Sequence, residues 1–182
     1  PLTHDEKLSF IGPPIQNSFA RVYNFSGDIL QEIATVFRDY YKNYSLYEAK
    51  PYDGIYELFN ELVKNGIKPS VATYKRQDYA RDILLHFGFD KYTDILLGAD
   101  HENRLSKKDI IENAVKMANV TDLSRTVMIG DSDNDAIGAE KIGMKFIAVT
   151  YGFGFKSKTD ADKFSNIGCA DNVYELKKLL IG

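Results

Sequence analysis

Apolar residues along this chain change their spacing part-way through. In the first fifty positions they recur every three or four residues, as Ile15, Phe19, Val22 and Tyr23, and then as Ile29, Ile33, Val36, Phe37, Tyr40 and Tyr41. That is the period of amphipathic helices, and the segment carries no strand signal of its own. Gly12-Pro13-Pro14 and Ser26-Gly27-Asp28 interrupt the pattern, because proline cannot sit inside a helix and glycine clusters mark turns. The aromatics Tyr40, Tyr41, Tyr44 and Tyr47 are expected to pack rather than to bind a ligand.

Pro51-Tyr52-Asp53-Gly54 is the expected boundary, a turn cluster between two helical patterns. Beyond it, short continuous apolar runs alternate with helical stretches. Ile55, Leu58, Phe59 and Leu62 predict a helix that stops at Asn65-Gly66, a pair suited to a C-terminal cap. Val71-Ala72-Thr73 reads as a strand followed by the polar turn 74–76, and a helix over 77–87 ends at Gly88. Residues 95–97 read as a strand, Ser106 caps a helix to about Ala118, and 127–129 form the next strand. A helix closing at Gly143, a strand over 146–149, a weak strand near Cys169-Ala170 and a helix over 172–181 complete the series. Strands alternating with helices give right-handed crossovers and a parallel sheet. The expected architecture is α/β, a doubly wound parallel sheet over residues 51–182, preceded by a small helical domain over residues 1–50.

Composition narrows the function. The 182 residues suffice for a real core. A net charge of −3, with Lys and Arg scattered among acids, argues against nucleic acid as a partner. The single Cys169 excludes an internal disulfide and reads as a small core residue. No apolar run reaches membrane-spanning length and no signal peptide is visible, so no membrane partner and a cytoplasmic location are expected. The chain opens on Pro1 rather than Met, so its start is not expected to be the native one.

The densest chemistry lies at Gly130-Asp131-Ser132-Asp133-Asn134-Asp135, where an apolar strand ends and three carboxylates follow at alternate positions. Turns at the carboxyl ends of parallel strands form the ligand crevice of such sheets. One Asp there could be an ordinary helix cap, but three repel one another unless a cation or hydrogen bonds offset the charge. The oxygen-rich set suits a Mg²⁺-type ion. Thr73 ends another strand and Lys107 opens a helix after a loop. A hydroxyl, an ammonium and a metal-binding carboxylate together suit a phosphate group. Singly, Thr73 could satisfy a local backbone group and Lys107 could be a solvated helix start. His4, His86 and His101 have no partners at metal-ligand spacing.

Val-Ala-Thr-Tyr-Lys at 71–75, Ser-Lys-Lys at 106–108 and Gly-Asp-Ser-Asp-Asn-Asp at 130–135 resemble motifs II, III and IV of the haloacid dehalogenase superfamily. Phe-Ile-Gly-Pro-Pro at 10–14, Tyr-Asp-Gly-Ile at 52–55 and the stretch 83–92 resemble its phosphoglycolate phosphatase-like branch, which includes 5′-nucleotidases. The resemblance implies the following roles. Thr73 bonds the phosphoryl group, Lys107 (or Lys108, one place on) steadies nucleophile and phosphate, and Asp131 and Asp135 serve the metal, Mg²⁺. Lys75 and the turn at Gly12 reach the substrate, and Asp133 is exposed. The helical domain 1–50 then corresponds to the branch's cap. Relatives often carry Gly-Thr-Arg-Ser before the lysine, whereas this chain has Asn103-Arg104-Leu105-Ser106.

One motif is missing. The superfamily's nucleophile and its acid/base form an Asp-x-Asp pair after the first strand, and no such pair opens this chain. That strand would lie between those ending at Thr73 and Asp131, so a leading segment carrying it is expected before Pro1. The expected function is a Mg²⁺-dependent phosphatase acting on a small phosphorylated metabolite, either phosphoglycolate-like or a nucleoside monophosphate, as a monomer or homodimer. These 182 residues alone are expected to be inactive. The alternative is a non-catalytic phosphate- or partner-binding protein of the same fold.

Overall fold

The computed structural model of the protein describes residues 2–102 and 104–182, so the readings made on Pro1 and Asn103 lie outside the described residues. The chain divides into two compact units, Pro1–Lys50 and Pro51–Gly182.

The first unit is helical. Helix α1 (His4–Leu8) was not signalled by apolar spacing, but Thr3 and Glu6 close a reciprocal capping box at its start. Helix α2 (Ile15–Tyr23) begins after Pro14 and ends at Asn24, whose φ of 56° turns the chain out of the helix. Helix α3 (Asp28–Tyr40) continues into a π-helical turn over Tyr41–Ser45. Phe19 packs edge-on against Phe10 and Phe37. Of the tyrosines expected to pack, Tyr40 and Tyr44 meet ring to ring at a tilt, with centroids 4.9 Å apart, and stay largely exposed.

The second unit alternates as its sequence period requires. Its elements begin with α4 (Ile55–Lys64), β1 (Val71–Arg76), α5 (Gln77–His86), β2 (Leu96–Ala99) and α6 (Lys107–Met117). They continue with β3 (Val127–Gly130), α7 (Asp133–Glu140), β4 (Lys145–Val149), α8 (Lys158–Ala161), β5 (Cys169–Ala170) and α9 (Val173–Ile181). Every strand pairing is parallel. On β4, Ile147 and Val149 join Leu58 and Leu62 of α4 and Val173 and Leu176 of α9. Phe146 and Ala148 turn to the other face and join Ala136 and Ala139 of α7, with Phe155 and Ala161. Helices therefore cover both faces, as a doubly wound sheet demands.

Two details differ from the sequence expectation. Strand β1 runs through Arg76 instead of ending at Thr73, with an irregularity in its pairing to β2 between Ala72 and Arg76. The Gln77 side chain bridges that break, donating to the Leu96 carbonyl at 2.9 Å and accepting the Gly98 N–H at 2.6 Å. Only glycine fits at 98, since a Cβ there would stand 2.4 Å from the Lys75 carbonyl. The strands also form two sheets, β1-β2 and β3-β4-β5. Among the described residues, β1 and β3 each have a strand neighbour on one side only.

Candidate active site

Lys107 is the centre of the site, although it is the first residue of α6. A cation at a helix N-terminus is opposed by the helix dipole, so its place there requires compensation. The compensation comes from Asp135 of α7, whose Oδ1 lies 2.7 Å from the Lys107 ammonium. Both residues are more than nine-tenths buried. The same ammonium donates to the Ala72 carbonyl of β1 at 2.6 Å. One side chain thus joins β1 of one sheet to the helix that follows β3 of the other.

Asp135 has both oxygens engaged. Its Oδ2 accepts the Ser132 hydroxyl at 2.7 Å and the Ser132 N–H at 3.2 Å. Gly130 makes room for this carboxylate, because a Cβ at that position would stand 2.3 Å from the Asp135 Cβ. Gly138, a turn further along α7, allows the approach of Lys107, whose Cγ would lie 3.0 Å from an added Cβ.

Asp131 follows β3 and is gripped by the loop after β4. Its Oδ2 accepts the N–H groups of Phe153 at 2.6 Å and Gly154 at 3.0 Å, and its backbone carbonyl accepts that of Phe155 at 2.6 Å. Close approach dictates glycine at 152, where a Cβ would meet Asp131 Oδ2 at 2.3 Å. Both side-chain bonds fall on Oδ2, which leaves Oδ1 without a hydrogen bond among the described residues. Tyr52 and Tyr151 pack edge to face beside this carboxylate, with ring centroids 4.9 Å apart. Burial pushes the Tyr151 phenol up to about 12, helped by the neighbouring Tyr52 and Asp131. Tyr52 is raised for the same reasons, burial first and Asp131 second.

Thr73 lies on β1, one residue beyond the carbonyl that holds Lys107. Its hydroxyl oxygen accepts the Lys75 N–H at 3.1 Å, which leaves the hydroxyl proton available to donate. The ordinary reading of Thr73 as a local backbone partner therefore holds, and it does not consume the donor. A series of contacts runs from the Ala72 carbonyl, next to Thr73 in the chain, through Lys107 and Asp135 to Ser132, next to Asp131. Lys75 is exposed near the end of β1, Asp133 is exposed and bonds only its neighbour Asn134, and Lys108 pairs along its own helix with Glu112. The first lysine of Ser-Lys-Lys, not the second, is the buried one. Gly12 belongs to the helical unit, at a φ of 109° in the turn before α2. Arg104 pairs with Glu102 at 2.8 Å.

The residues present have the chemistry for Mg²⁺. That ion is usually held by one or two carboxylates, with substrate phosphate and water completing an octahedron of oxygens. Asp131 offers one fixed, unbonded oxygen of that kind. The Asp135 oxygens, by contrast, already accept from Lys107 and Ser132. No group of three or more His, Cys, Asp or Glu side chains able to hold a metal occurs among the described residues. Ser132 and the Phe153-Gly154 amides escaped the sequence reading. For Ser132 the signal existed, as the Ser-x-x-Asp spacing of a capping box; for the amides the only hint was the pair of glycines at 152 and 154.

A parallel α/β fold with a buried lysine and a strand-end aspartate defines a class, and comparison with known proteins agrees. Residues 1–149 match the family described as haloacid dehalogenase-like hydrolase, and the chain belongs to that family. It is 33% identical over 163 residues to a 5′-nucleotidase of Pseudomonas aeruginosa, covering 89% of this chain and 73% of that protein. It is 29% identical over 178 residues to the tyrosine-protein kinase PtkA of Mycobacterium tuberculosis, covering 97% of this chain and 60% of that one. The chain therefore spans less than two thirds of the latter's length. Among solved structures, a predicted phosphatase from Clostridium acetobutylicum superposes with a TM-score of 0.89 at 34% identity, covering 97% of this chain and 81% of that one.

Proposed function

We propose that the protein is a Mg²⁺-dependent phosphomonoesterase acting on a small phosphorylated metabolite. The observation that carries this reading is the contact series from Ala72, the neighbour of Thr73 on β1, through Lys107 and Asp135 to Ser132, the neighbour of Asp131 after β3. The Thr73 hydroxyl and the Lys107 ammonium donate to the non-bridging phosphoryl oxygens and balance the charge that develops there. Asp131 ligates the cation directly, and Asp135 acts through Lys107. When bound, Mg²⁺ supplies further charge neutralisation on the phosphate.

The nucleophile in this account is an aspartate on a strand lying between β1 and β3, the two edges that lack a neighbour on that side. Its carboxylate attacks phosphorus and the bond to the leaving oxygen breaks. An aspartate two residues on gives that oxygen a proton, and then takes one from the water that hydrolyses the acyl phosphate. Lys107, held between Ala72 and Asp135, lies at that gap. The helical unit acts as the cap that excludes water and selects the substrate, with the Gly12 turn and Lys75 as substrate-binding elements.

The likeness to a 5′-nucleotidase at 33% identity favours a nucleoside monophosphate, and the branch that the motifs resemble favours phosphoglycolate. Phosphate release from both, by the full-length protein with Mg²⁺ and with EDTA, tests the reading. Turnover of at least one that EDTA removes supports it, and no turnover of either or of a generic aryl phosphate overturns it.

A further inference from the structure

Tyr74 stands between Thr73 and Lys75 on β1, and nothing in the chemistry above uses it. Its phenolic oxygen accepts the backbone N–H of Lys107 at 2.8 Å. That amide is the first of α6, one of the donors that a helix cannot satisfy internally. The Tyr74 ring centroid also lies 5.8 Å from the Lys107 ammonium, within the range of cation–π attraction.

Helix α6 does not need this bond in order to start. Ser106 already accepts the Asp109 N–H at 3.3 Å, and the Asp109 carboxylate takes the Ser106 N–H at 2.8 Å and its hydroxyl at 2.6 Å. The tyrosine acts on a different problem, the placement of a lysine where the helix dipole disfavours one. Asp135 and the Ala72 carbonyl hold the far end of the Lys107 side chain. Among the described residues, Tyr74 alone ties its main chain to the strand that carries Thr73. The two donors meant for one phosphoryl group are thereby locked in register, by a bond from the residue next to the first to the backbone of the second.

We propose that Tyr74 is a positioning residue for Lys107, setting the ammonium against the phosphoryl group from β1. This rests on the phosphomonoesterase reading. Misplacing a catalytic group by a fraction of an ångström costs rate rather than binding, so Tyr74→Phe is expected to lower kcat on p-nitrophenyl phosphate roughly tenfold, with KM changed less than twofold. In a Lys107→Met background the same substitution is expected to have no further effect on kcat. An unchanged kcat in Tyr74→Phe, or an equal loss in both backgrounds, overturns the proposal. Hydrogen exchange at the Lys107 amide supplies a readout without turnover. Loss of its protection in Tyr74→Phe, with protection elsewhere in α6 retained, supports the proposal, and unchanged protection overturns it. If the wild-type protein hydrolyses no phosphate monoester, the phosphatase reading falls and the exchange measurement alone decides the role of Tyr74.

Discussion

The Lys107 ammonium and the Asp135 Oδ1 lie 2.7 Å apart, each on a residue more than nine-tenths buried. Removing one member leaves the other charged and desolvated, which typically costs about 3–5 kcal/mol. Lys107→Met is therefore expected to lower the unfolding free energy by roughly that amount in urea titration. Replacing both, as Lys107→Met with Asp135→Leu, is expected to recover most of the loss and none of the activity. A single substitution that costs nothing would show that the pair does not form.

Gly130 has an ordinary backbone, so its requirement is steric: an added Cβ would stand 2.3 Å from that of Asp135. Gly130→Ala is expected to cost at least about 1–3 kcal/mol, the usual penalty for overpacking a tight site. It should also lower activity more than a surface substitution of equal stability cost, because the carboxylate that it displaces holds Lys107. Urea titration beside a phosphate-release assay separates the two effects.

The tyrosines beside Asp131 give the stability a defined alkaline limit. A phenol raised to about 12 in the folded state and near 10 in the unfolded state keeps its proton longer when folded. The unfolded chain binds fewer protons between those values, so stability falls as pH rises from about 10 to about 12. Tyr151→Phe is expected to flatten that decline without altering stability at neutral pH in the same direction. Melting in EDTA across that range checks it, and an unchanged slope would contradict the assignment.

The elements were legible where chemistry is local. Alternation of apolar runs and caps such as Ser106 located α6, β3 and β4 to within a residue or two, since burial on both faces of a parallel strand leaves a continuous apolar run. Short helices α1 and α8 were not visible, because a single turn has no period to read; their Thr3 and Ser157 caps were the only signal. The irregularity in β1 rests on the Gln77 side chain reaching across to β2, a tertiary bond that no spacing encodes. At the site, the identities of Thr73, Lys107, Asp131 and Asp135 followed from motif order. Their division of labour did not. Which oxygen of Asp131 stays unbonded, and that Asp135 is spent on Lys107 and Ser132, depend on loops brought together only by the fold.

Asp131 carries the most exposed claim of the account, since its Oδ1 has no hydrogen bond among the described residues whereas both Asp135 oxygens are engaged. Hydrolysis of p-nitrophenyl phosphate by full-length Asp131→Asn, measured with saturating Mg²⁺ beside the wild type, tests that claim directly. The account predicts activity at the level of a no-enzyme blank, with the variant still folded by circular dichroism. Wild-type-like, Mg²⁺-dependent turnover in the variant would contradict it.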